Sequence, residues 1–285
     1  MAKKQNDEPL DDDIESIGAP PEDDPVAQRQ LLIDAWTARD ELYKQLFGDL
    51  AYTSPKNYGT PSPIVKAKGK DLSTAHGGSG DPGNPEADEQ HLAVLAYPPD
   101  PLRHYWTYVT AGLCSPWLQQ QPGEVSGFGC ELAIKSPTDA LWPARILRSL
   151  AFYIFNHAGT ISSGVRIALN APINEPGQSA LRNVLVWYLD EAPDAIYQLP
   201  SGAFGLFCVM GITDEELKFA ESVDEYGTWC VHEALRSTGN GQVTNPDRAS
   251  LITDANAELL NNYRIFANNF GADLATRQQQ AQDDD

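Results

Sequence analysis

Short apolar segments of strand character succeed one another along this chain: HLAVLAY (91–97), HYWTYVTAGL (104–113), FGCELAIK (128–135), VRIALN (165–170), NVLVWYL (183–189) and AFGLFCVMG (203–211). Such runs must satisfy their backbone groups in a sheet, and strands grouped between a few helices predict an α+β fold, a mixed sheet packed with helices, rather than a regular βαβ winding. NVLVWYL and AFGLFCVMG are apolar enough to lie inside that sheet. In FGCELAIK, Phe128, Cys130, Leu132 and Ile134 alternate with Gly129, Glu131, Ala133 and Lys135, the pattern of a strand covered on one face only.

Helical signals flank the strands. Asp24 as N-cap and Pro25 at the first helical position open a helix whose apolar residues, from Leu31 to Phe47, recur at helical spacing until Gly48. LWPARILRSLAFYIFNHAG predicts a second, with Pro143 in its first turn, a stripe of Ile146, Leu147, Leu150, Ile154 and Phe155, and Gly159 as the stop. Thr213 with Glu216 three residues on forms a capping box that opens a short helix at DEELKFAES. A further short helix is expected around Trp229 to Leu235, and a longer one from about Asp254 to Phe270. The ends are different in kind. Residues 1–23 carry no apolar period and are expected as a disordered acidic tail, 49–90 hold turn clusters such as SPKNYGTPSP and form a long loop, and 271–285 make a polar C-terminal tail, leaving 24–270 as one domain.

The formal net charge is −20. Residues 1–25 contribute −7 and Asp283 to Asp285 another −3, so −10 falls on the body. An acidic body repels nucleic acid and anionic lipid, so neither is an expected partner, whereas a basic protein would be drawn in by long-range attraction. No apolar stretch follows Lys3 and Lys4, and nowhere do about 18 apolar residues run together, so no leader or membrane span is expected and the chain is read as cytoplasmic. Cys114, Cys130, Cys208 and Cys230 lie far apart in apolar surroundings, which suits reduced, buried thiols better than a disulfide framework.

Catalytic and ligand motifs are scarce. The stretch EVSGFGCELAIK is no phosphate loop, because its glycines lead into a strand and not into a helix N-terminus. Gly127 is expected at positive φ in a turn, and Gly129 where another backbone or a large side chain lies close. Neither VSGFG nor TISSGV fits a GxSxG nucleophile elbow. Cys230 and His232, two apart with no second pair nearby, are assigned to helix or core packing, and the carboxylates of TDEEL to the cap and helix dipole. No metal or cofactor is expected.

The blocks HYWTYVTAGL, EVSGFGCELAIK, LWPARILRSLAFYIFNHAG and PSGAFGLFCVMGITDEEL (200–217), in that order and spacing, resemble the suppressor of fused domain family, over roughly residues 33 to 253. The resemblance implies an α+β sandwich like the first lobe of that family, and binding of other proteins without catalysis. Animal members clamp a short extended peptide of a transcription factor between two lobes, of which only the first is matched here. Single-lobed bacterial relatives imply a toxin-neutralising immunity protein, and an acidic surface suits a basic toxin domain as its partner. The alternative is a regulatory scaffold that sequesters an endogenous protein through an extended peptide, and a third reading is an unrecognised enzyme with perturbed titratable groups converging in a cleft. Carried over residue by residue, the family's peptide-contacting Tyr falls at Trp117 in GLCSPW, and its acid falls at Gly123, beside Glu124. These two are the candidate partner-binding residues. Ser126, Gly127, Phe128, Gly129, Trp142 and Pro143 match the family motif and are assigned to the fold. The oligomeric state is left open.

Overall fold

The computed structural model describes residues 24–53, 66–68, 92–174 and 178–283. The expected disordered tail and most of the 49–90 stretch lie outside those residues. Helix α1 spans Pro25–Phe47 and is capped by the Asp24 carboxylate, which accepts from the backbone N–H groups of Val26 and Ala27. Strands β1 (Tyr52–Thr53), β2 (Lys66–Lys68), β3 (Ala93–Tyr97), β4 (Trp106–Ala111) and β5 (Val125–Ser136) follow. Helix α2, Trp142–Tyr153, then passes into a π-turn over Ile154–Ala158 and stops at Gly159 with φ +71°. Strands β6 (Arg166–Ala168), β7 (Leu181–Tyr188), β8 (Tyr197–Leu199) and β9 (Gly202–Thr213) complete the sheet. Helices α3 (Asp214–Ser222), α4 (Gly227–Ser237) and α5 (Ala257–Asp283) close the chain.

The strands form one nine-stranded sheet in the order β1-β3-β4-β5-β9-β7-β6-β2, with β8 pairing the start of β9. The long central strands β5 and β9 run side by side in parallel, and the other pairings are antiparallel. The fold is therefore α+β with a mixed sheet, as the sequence pattern predicts, and NVLVWYL and AFGLFCVMG lie inside the sheet. Within the stretch expected as a loop, Tyr52–Thr53 and Lys66–Lys68 add short strands, one at each outer edge. The last helix, expected to end near Phe270, runs on to Asp283.

Both faces of the sheet are covered. On one, Cys130, Leu132 and Ile134 of β5 meet Val184, Val209 and the Ile146, Leu147 and Leu150 face of α2. On the other, Ala133, Leu206, Cys208 and Met210 meet Tyr43 and Phe47 of α1 and Val231 and Leu235 of α4. The expectation that β5 is covered on one face only is thus corrected: Glu131, Ala133 and Lys135 are as buried as their apolar neighbours. A buried charge must find partners at once. Lys135 meets the Glu191 carboxylate at 2.5 Å and donates to Gln242 Oε1 at 2.8 Å, with its ammonium over the Tyr105 ring.

Gly127 and Gly129 both take positive φ, +54° and +69°, where the pairing of β5 with β9 shifts register between Val125 and Cys130. At Gly127 a Cβ would stand 2.5 Å from the Leu113 carbonyl oxygen, so only glycine lets β5 press against the turn that follows β4. At Gly129 it would meet the Val125 side chain instead.

A candidate partner-binding cleft beside Trp117

The turn after β4 carries Trp117, and its shape is set from beneath by Glu131. The fully buried Glu131 carboxylate accepts from the backbone N–H of Gly112 at 2.9 Å and of Cys114 at 3.0 Å, and from the Thr110 hydroxyl. The Gly112 carbonyl, so held, accepts from the Trp117 indole Nε1 at 3.0 Å. Ser126 helps from the side, its hydroxyl donating to the Cys114 carbonyl.

Helix α1 ties onto the same turn. The Tyr43 hydroxyl donates to the Thr110 carbonyl at 2.9 Å, the Trp36 indole nitrogen to Ser115 Oγ at 2.9 Å, and the Gln28 amide to the Trp117 carbonyl at 3.2 Å. Trp36 and Trp117 meet edge to face with centroids 5.4 Å apart. Between α1 and the outer side of β3 there remains an open cleft of about 640 Å³, lined by Trp36, Arg39, Lys44, Leu95, Tyr97 and Trp117 among others. Arg39 contacts the Asp40 carboxylate at 2.8 Å on the cleft wall. Burial alone would lower its guanidinium, but neighbouring Tyr43, Glu131 and Asp40 hold it above its ordinary value, so it is a fixed cation that offsets the buried Glu131 charge.

Of the two sequence-predicted binding residues, only Trp117 lines the cleft. Glu124 is exposed in the turn ahead of β5, where its backbone carbonyl accepts from Ala203 N at 3.0 Å. Phe128 is half-buried and meets Phe155 edge-on at 5.0 Å, while Trp142 and Pro143 are buried at the start of α2. The sequence reading missed Glu131, Arg39 and Trp36. No local signal marked Glu131, because its burial follows from the pairing of β5 with β9, strands far apart in sequence.

The cysteines lie away from the cleft lining. All four cysteines are free and buried, and burial pushes Cys114 well above its usual value, Cys130 and Cys230 up to about 11 and Cys208 to about 12, so the thiols stay protonated at neutral pH. His232 is buried against the Trp187 ring and bonded to Glu233, away from the cleft lining. Among the described residues no group of His, Cys, Asp or Glu has the arrangement of a metal site, and no helix is long and apolar enough to cross a membrane.

Comparison with known proteins assigns strands β3 to β9 and the Trp117 turn, though not α1, to a family model. The model of the suppressor of fused protein (SUFU) matches residues 88–249. The Suppressor of fused homolog of Homo sapiens is 26% identical over 149 residues, covering 48% of this chain and 29% of the human protein, so the chain matches under a third of that curated relative's length. Among solved structures, the Sufu-Fu complex aligns with a TM-score of 0.55 at 19% identity, over 81% of this chain and 96% of that one. A SUFU homologue from Neisseria gonorrhoeae aligns with a TM-score of 0.44 at 19% identity, over 57% of this chain and 79% of that one. With more than half of its residues inside the family model, the chain belongs to the suppressor of fused (SUFU) family.

Proposed function

We propose that this chain is a non-catalytic protein-binding module whose partner docks in the cleft between α1 and β3, with Trp117 as the anchor. The observation that carries the reading is the Trp117 ring itself. It is half-buried, set edge-on against Trp36, and locked through Gly112 to a turn built on Glu131. A pre-ordered aromatic residue in a cleft loses little entropy on binding and supplies large contact area, which is why such residues dominate binding energy. A SUFU chain has been solved in a Sufu-Fu complex, which is a precedent for this fold holding another protein. Protonated thiols and a buried histidine favour binding over catalysis.

At finer grain, we assign the chain the role of a cytoplasmic immunity protein that neutralises a basic toxin domain, in support of which stands its net charge of −20. The rival, a scaffold that holds an extended peptide, draws on the edge of the sheet: β1 pairs with β3 only at Leu95 and Ala96, so among the described residues Ala93 and Val94 have no ladder partner on that side. The test is capture of partners by the full chain and by Trp117→Ala, followed by co-expression of the captured protein in a naive host. Growth arrest relieved by the native chain and not by Trp117→Ala supports neutralisation through this cleft. A partner captured equally by both chains removes the cleft from the mechanism, and a non-toxic partner whose bound segment is extended favours the scaffold.

A further inference from the structure

The C-terminal helix carries a second apolar surface, on elements that do not line the cleft. The inner side of α5 packs on the body through Leu260, Tyr263 and Ala267. Its outer side leaves Ile265, Phe266 and Phe270 exposed at 49%, 59% and 51%. Single exposed apolar residues are ordinary, but these rings are joined into a row. Phe266 meets Trp229 of α4 at 5.3 Å and stacks with Phe270 at 6.5 Å, and Phe270 meets Tyr226 edge-on at 5.8 Å. Helical spacing of four residues places Phe266 and Phe270 side by side, so the row follows the helix axis as a partner's side chains would need.

The charge around this row is one-sided. Residues 214–270 hold ten acids against four Lys and Arg, a net of −6. The Glu216 and Arg248 charges neutralise each other in the interior at 2.6 Å. Of the exposed cations, Arg236 is paired with Glu233, Arg264 lies over the Phe219 ring and Lys218 sits on α3, while Glu225 stands exposed next to Tyr226 at the end of the row. A second copy of the chain would bring the same negative field against itself, which opposes self-association. We infer that this aromatic row, framed by carboxylates, is a docking surface for a cationic amphipathic helix of a partner protein. The apolar face of that helix would cover Trp229, Phe266 and Phe270, and its Lys or Arg residues would meet the acidic rim. The inference stands apart from the cleft, since none of its residues lines it.

The test uses the full chain and a fluorescent synthetic Leu/Lys peptide of helical period, with two controls: the same composition rearranged so that no apolar face forms, and a Leu/Glu version. Binding is read by anisotropy at low and high salt. The Leu/Lys peptide is expected to bind, Phe266→Ser/Phe270→Ser to weaken it by roughly tenfold or more, and Trp117→Ala to leave it unchanged. Because the double substitution could disturb α5, Glu225→Gln serves as a second variant that keeps the side-chain volume, and it should flatten the salt dependence. Equal binding of the rearranged peptide, or of the double Phe variant with its helix content intact, overturns the proposal in favour of unspecific charge attraction. Sedimentation of the native chain as a dimer that Phe266→Ser/Phe270→Ser dissociates overturns it in favour of a second copy as the occupant. Failure of the Trp117→Ala capture experiment would leave this peptide result untouched, so the two surfaces are separable.

Discussion

Glu131 shows how one residue can connect the core to a binding surface. Its carboxylate accepts from two buried backbone N–H groups, Gly112 and Cys114, and the first of these residues takes the Trp117 indole. Removing it strands both donors, and each unsatisfied buried group costs on the order of 1–3 kcal/mol. Glu131→Ala is therefore expected to lose about 3 kcal/mol in urea unfolding and to shift Trp117 fluorescence, whereas Glu131→Gln keeps an accepting oxygen and recovers most of both. A Gln variant as damaged as Ala would mean that the charge facing Arg39, and not the hydrogen bonding, holds the turn. His232 carries a prediction of different sign. Burial lowers its pKa from 6.5 despite the opposing Glu233 and Asp190, with Arg236 adding to the lowering. The unfolded chain then takes up the proton first as pH falls. Stability contributed by the neutral ring is complete above pH 6.5 and declines below it, so the melting temperature should drop more steeply between pH 6.5 and 5.5 in the native chain than in His232→Gln. Parallel slopes would remove His232 from the acid response. Trp117 entered the sequence reading through the family resemblance of GLCSPW, and the structure puts its ring on the cleft wall; Glu131 was not legible, because alternation alone says which residues share a face and not whether that face is wet.

At the scale of elements, the start of α3 is more than a capped helix. Thr213 and Glu216 exchange the bonds of a capping box, and the same Glu216 carboxylate holds both Arg248 guanidinium nitrogens at 2.6 Å and accepts from Leu251 N at 2.7 Å. One helix terminus thereby anchors the segment that leads into α5. Truncating one partner leaves the other charge buried alone, a loss of roughly 3–5 kcal/mol, while replacing both with apolar groups can be far milder. Arg248→Met should show that loss in chemical denaturation, and Glu216→Leu/Arg248→Met should regain part of it. A single variant within about 1 kcal/mol of the native chain would show the pair to be solvated in solution. The sequence announced this helix through its capping box and gave no sign of the clamp, whose partner lies 32 residues away. The strands β1, β2 and β8 were unreadable for a related reason. Segments of two or three residues are defined by the neighbour they pair with, and that neighbour is distant in sequence. The last helix was shortened in the sequence reading, since its apolar period fades after Phe270 and Gly271 follows at once, although the Ala, Leu, Arg and Gln residues beyond are good helix formers.

For the whole molecule, charge and layering matter most. A chain of net charge −20 attracts a basic partner over distances beyond contact, and ions screen that attraction within about 8 Å at physiological strength. The association rate of a captured basic partner should fall steeply as salt rises while the dissociation rate changes little, as stopped-flow mixing would show. A rate indifferent to salt would detach the acidity from recognition. Layering decides where such a partner can sit: α2 covers one face of the sheet and α1, α3, α4 and α5 the other, and among the described residues the cleft by Trp117 and the aromatic row of α5 are open surfaces outside those layers.

By itself the sequence determined the elements whose signals are local: the Asp24 cap, the Thr213 capping box, the Gly159 stop, and the central strands, whose long apolar runs could be satisfied only inside a sheet. The positive φ of Gly127 was legible too, although it falls at an irregularity inside β5 and not in the turn expected. Tertiary structure alone decided that the sheet is covered on both faces, that Glu131, Lys135 and Glu216 are interior charges with distant partners, and that Trp36 and Trp117 share a cleft while Glu124 stands apart. Burial and pairing depend on which segments meet across the fold, and a linear pattern records only the faces that segments offer.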